Sequence, residues 1–68
     1  MNILVEIATS TIEVKSLKEM RRITARLSNE RVAFSVKPEN PYSNIWFITL
    51  PIYTAQRIKA SFDFDVIE

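Results

Sequence analysis

Asp63 and Asp65 stand two residues apart, a spacing that puts both carboxylates on one face of an extended strand, where they could hold a cation. Two carboxylates without a glycine-bearing turn and without further oxygen ligands make a poor Ca²⁺ or Mg²⁺ site. An acidic edge strand that resists pairing with another edge accounts for them better. The chain of 68 residues contains no Cys, no His and no Gly. Disulfides, thiolate and imidazole metal sites and Cys or His catalysis are therefore excluded together. Serines and threonines are plentiful, yet no imidazole is present to activate them and no glycine-rich loop exists to cradle a phosphate. The chemistry expected of this chain is binding rather than catalysis, with no enzyme activity, cofactor or metal.

The second constellation is basic. Lys18, Arg22 and Arg26 fall at i, i+4 and i+8, a single stripe on a helix, with Arg21 alongside. Like charges at this spacing cost a helix a few tenths of a kcal/mol per pair, on the order of the gain from an opposite pair, and Glu19 offsets part of that cost through Arg22 at i+3. Residues 15 to 37 carry seven cations against two carboxylates, while residues 60 to 68 carry three carboxylates and no cation, within a net charge of only +1. Such a dipolar chain can steer an anionic partner. The stripe is either a solvated face or a site for nucleic acid or an acidic protein, whose binding would weaken with salt.

The third feature is apolar. Apart from Thr49, the run Ile45 to Leu50 is hydrophobic and does not alternate, so this strand has two apolar faces where a surface strand should have one. Period two sends either Ile45, Phe47 and Thr49 or Trp46, Ile48 and Leu50 toward the core. The second set is uniformly apolar and is expected inside. That leaves Ile45 and Phe47 outside, beside Leu4 on the neighbouring strand, as a patch of the kind that marks association sites. In the other register Trp46 would take the place of Phe47. Tyr42, near the tip of a loop stiffened by Pro38 and Pro41, is a further contact candidate.

These residues need elements to position them. Met1 to Ala8, with Ile3, Val5 and Ile7 on one side and Leu4 on the other, reads as a strand. Thr9 to Lys15 is either a loop or a second short strand. Ser16-Leu17-Lys18-Glu19 matches a capping box and opens a helix along Leu17, Met20, Ile23, Thr24 and Leu27 that stops at Asn29. Val32, Phe34 and Val36 alternate with polar residues as a second strand, 38–43 is a loop, and Ile45 to Leu50 is the third strand. Pro51 suits the first turn of a second helix along Ile52, Ala55, Ile58 and Phe62, and Phe62, Phe64 and Val66 form a last strand with an acidic outer face.

The order is β-α-β-β-α-β, the ferredoxin-like pattern, in which strands lie 4-1-3-2 and both helices cover one face of a four-stranded antiparallel sheet. If Thr11 to Lys15 is a strand, a ubiquitin-like β-grasp is the alternative, although its hairpin would run into the helix with almost no loop. The RNA-recognition motif shares the first layout but needs aromatics on strands one and three and a glycine-bearing motif. Here strand one would offer Leu4 and Glu6, and a carboxylate repels phosphate.

One domain of this size buries only about 60% of its unfolded surface, and self-association or a partner is the expected supplement. At 47% hydrophobic and 25% charged residues the chain is an ordinary folded one. No run approaches the ~20 apolar residues of a membrane span, and no signal peptide is read at the N-terminus, so a complete cytoplasmic protein is expected. The function expected is a small non-enzymatic interaction module, a regulator or inhibitor that binds a protein or itself through the apolar sheet face. A nucleic-acid binder using the basic helix is the alternative.

Overall fold

A computed structural model of the chain describes residues 8–67. Their order is β1 (Thr9–Val14), α1 (Leu17–Asn29), β2 (Ser35–Pro38), β3 (Trp46–Pro51), α2 (Ile52–Ile58) and β4 (Asp65–Val66). The fold is α+β. The four strands form one sheet in the order β2-β3-β1-β4, and every neighbouring pair is antiparallel.

β1 is where sequence and structure part. The expected first strand, Met1 to Ala8 with Leu4, lies almost wholly outside the described residues, and the place beside β3 is taken by Thr9–Val14. Ser10, Ile12 and Val14 are buried while Thr11 and Glu13 are only half so. Two-sided hydrophobicity is thus not what marks this central strand, because its second face is built from Thr and Glu. The β-grasp alternative asked for a strand at Thr11 to Lys15, and a strand is there; the hairpin partner it also needs falls outside the described residues.

Ser16 caps α1 with its hydroxyl, which accepts from the Glu19 backbone N–H at 3.0 Å. The reciprocal half of the expected box is replaced, because the Glu19 carboxylate accepts instead from the Arg22 guanidinium at 2.9 Å. A second cap comes from 27 residues away. The Asn44 side-chain oxygen accepts from the Leu17 N–H at 2.8 Å, tying the β2–β3 loop to the start of the helix.

α1 ends as a Schellman turn. The Val32 N–H donates to the Leu27 carbonyl at 2.9 Å and the Arg31 N–H to the Ser28 carbonyl at 3.1 Å. The residue that must turn left-handed here is Arg31, with φ of 56°. Glycine is the usual choice at this position, and the chain has none. Val32, the residue after it, packs on the core, which is the apolar contact that accompanies this motif.

The remaining elements are shorter than their periodicity suggests. β2 begins at Ser35 rather than Val32, so Val32 and Phe34 reach the core from the connection preceding the strand. α2 stops at Ile58, and Phe62 packs on the core from beyond the turn that follows. Pro51 caps α2 while still pairing with Thr9, so one residue closes β3 and starts the helix.

The core is one cluster of Ile12, Val14, Ile48 and Leu50 from the sheet, Ile23 and Leu27 from α1, Ala55 and Ile58 from α2, and Phe64 before β4. Both helices therefore pack on the same face of the sheet. Each fully buried Ile or Leu contributes on the order of 1.5–3 kcal/mol by leaving water, and no helix among the described residues lies on the opposite face.

Candidate interaction surface

Register assigns the two faces. Trp46, Ile48 and Leu50 share the helix side with Val14, Ile12 and Ser10, their partners across β1. The inward set expected from composition is the observed one. Trp46 packs on the core and belongs to that side, so the outward aromatic is Phe47. The Trp46 Nε1 is buried and finds no hydrogen-bond partner among the described residues. Leu4, the third member of the expected patch, lies outside the described residues.

The helix-free face can be read row by row from the pairings. One row is Ser35, Thr49 and Thr11, where the two threonine hydroxyls are hydrogen-bonded at 3.2 Å. The next is Lys37, Phe47, Glu13 and Asp65. Phe47 thus has a cation on one flank and a carboxylate on the other, and it is half-buried, as is Ile45 just before the strand. Lys15, following β1, has its ammonium 3.6 Å from the Asp65 carboxylate and 3.9 Å from that of Glu13.

The face holds an apolar pair, Ile45 and Phe47, with charges of both signs on the two flanks of Phe47 and an uncharged row of Ser35, Thr49 and Thr11 beside it. Sequence reasoning located Phe47 and Ile45 but missed Glu13, Lys15 and Lys37 as their neighbours. The missing signal was the strand at Thr9–Val14; once it is placed, alternation alone delivers Glu13 to this face.

Beside β4, the cleft lined by Glu13, Lys15, Asp63, Phe64 and Asp65 encloses about 280 Å³. Asp63 and Asp65 do lie together there. Among the described residues no group of three or more carboxylate, thiol or imidazole side chains is arranged to hold a metal ion.

Two of the four basic residues on α1, Arg22 and Arg26, are paired. Arg22 is engaged by Glu19 and also lies over the Phe62 ring, 5.4 Å from its centroid. Arg26 pairs with Glu30, which also takes Arg57 from α2, so one carboxylate clamps two helices together. Hydrogen bonds from Arg57 and then Arg26 hold the Glu30 carboxyl down at about 2, against an ordinary 4.5, and the same contact raises the Arg57 guanidinium. Lys18 and Arg21 are exposed and form no ion pair among the described residues.

Tyr42 is 97% exposed at the tip of its loop. The Asn40 side-chain oxygen accepts from the Tyr42 and Ser43 N–H groups, both at 2.9 Å, and Asn44 fixes the loop to α1. The aromatic ring therefore stands on a braced loop. No helix among the described residues is long and apolar enough to cross a membrane.

Compared with known proteins, the chain matches no family model, no curated protein and no solved structure.

Proposed function

We propose that this chain is a small non-enzymatic interaction module, a regulator or inhibitor, which binds a protein partner or a second copy through the helix-free face of its sheet. The observation that carries the reading is the position of Phe47: an aromatic on the outward side of a central strand, with Ile45 beside it and no described helix over it. A large ring flanked by charges of both signs is the make-up of a protein contact, in which the apolar centre supplies affinity and the charged border supplies register. We also read the β-α-β-β-α-β order and the β4-β1-β3-β2 sheet as ferredoxin-like. In that layout the face opposite the helices is left for other molecules.

Substitution of Phe47 by Asp tests the proposal. Partner capture or self-association measured by sedimentation should fall at least tenfold, the order expected from loss of a central aromatic contact. A partner that binds the variant as tightly as the parent would refute it.

The second reading, an anion-binding surface on α1, draws on Lys18 and Arg21, which are exposed and without ion pairs among the described residues. Its weakness is that Arg22 and Arg26 are already occupied by Glu19 and Glu30. Titration with single- and double-stranded oligonucleotides at low salt tests it. Binding that persists unchanged in Lys18→Glu/Arg21→Glu, or no binding at all, removes it.

A further inference from the structure

We infer that the edge of β4 that pairs with no other described strand is a docking site for an extended, cationic segment of a protein partner, added to the sheet as a strand. The inference rests on the protein-interaction reading above and supplies the chemistry of the partner. It begins with the backbone. β4 pairs with β1 on one side, Ile12 opposite Val66 and Glu13 opposite Asp65, and has no neighbour on the other among the described residues. The Ile67 N–H donates to the Thr11 carbonyl at 2.9 Å, so the backbone of Ile67 faces β1. Successive residues of an antiparallel strand alternate in this respect, so the N–H and C=O of Val66 point the other way, out of the sheet. Those two groups are what an added strand would engage.

Two apolar side chains at this edge, Val66 and the following Ile67, are about half exposed, at 46% and 50%. An edge like this invites pairing with any chain unless charge forbids it. Here charge discriminates. The cleft alongside holds Glu13, Asp63 and Asp65 against one ammonium, that of Lys15, so its surplus charge is negative. Pairing with β4 of a second copy would bring Asp63 and Asp65 against their own kind, and like charges facing across strands are destabilising. A strand with Lys or Arg at alternate positions would instead lay its cations along Asp65 and Asp63 and turn its other side chains toward Val66. The acidic residues that keep copies of the chain apart are the ones that select this occupant.

The probe is a capped, fluorescently labelled peptide of alternating Lys and Val, titrated against the whole chain at low salt and followed by anisotropy, with amide hydrogen exchange at Val66 read in parallel. Saturable binding is expected, weakened about tenfold in Asp63→Asn/Asp65→Asn, abolished when a central Val of the peptide is replaced by Pro, and accompanied by slower exchange of the Val66 N–H. A Glu-Val peptide should not bind. No binding of the Lys-Val peptide overturns the inference, as does equal binding of the Pro-containing or Glu-Val peptide. Unchanged exchange at Val66, or self-association of the chain through β4, overturns it as well. Phe47→Ser, which adds no charge to the row it shares with Glu13 and Asp65, should leave peptide binding intact, so a failure at the β4 edge and a failure at the Phe47 face are separate results.

Discussion

Arg31 and Glu30 show how single residues carry costs that a sequence pattern hides. A left-handed residue with a Cβ carries a penalty of roughly 1 kcal/mol relative to Gly, and Arg31 holds that conformation because the Schellman bonds at Ser28 and Leu27 require it. Arg31→Gly should therefore stabilise the fold by about 1 kcal/mol, read as a higher midpoint in chemical denaturation; a lower midpoint would contradict the assignment. Asn29 was legible as the stop of α1, but the residue bearing the turn was not, since nothing in an arginine signals positive φ. Glu30 is the opposite case. Its carboxyl is depressed to about 2 by Arg57 and Arg26, so the stability it contributes is fully present above about 4.5 and is lost as pH falls toward 2. Glu30→Gln should lower stability above about 4.5 and flatten the acid limb below it, so that the two chains converge toward pH 2. An acid limb identical to the parent's would show the clamp to be inconsequential.

At the scale of elements, α1 was the most legible because its signals are local: a serine cap, a three-and-four spacing and a stop. Asn44 was not legible, since a cap supplied from 27 residues away has no spacing to read. Its removal by Asn44→Ala should cost about 1 kcal/mol and raise hydrogen exchange at Leu17, whereas an unchanged Leu17 amide would deny the cap. β1 is only half legible, because Ile12 and Val14 alternating with Thr11, Glu13 and Lys15 suit either a loop or a short strand, while Met1 to Ala8 offers apolar residues on both sides. The observed strand is apolar on its helix side alone and fills the other with Thr11, hydrogen-bonded to Thr49, and Glu13. The strands β2 and β4 are shorter than their sequence patterns for a related reason. Val32, Phe34, Phe62 and Phe64 alternate as strand residues do, but they reach the core from connections, where burial needs no ladder.

At the scale of the molecule, one sheet with both helices on one side leaves a face that the described residues do not cover. Ile48 lies at the centre of the covered side, fully buried between β1 and β2. Ile48→Ala should cost roughly 2–5 kcal/mol, and in so small a domain that is a large part of the total; a loss under about 1 kcal/mol would place Ile48 outside the core. The inward set of β3 was legible because its three members are uniformly apolar, and Phe47 followed as the outward residue. The charges around Phe47 were legible only after β1 was placed. The central claim is that Phe47 is a contact residue rather than a fold residue. Its most direct test is quantitative partner capture and self-association by parent and Phe47→Asp chains in parallel, with the circular dichroism of both recorded. The account expects the same spectrum and at least a tenfold loss of binding, and an equally well folded variant that retains full binding would contradict it.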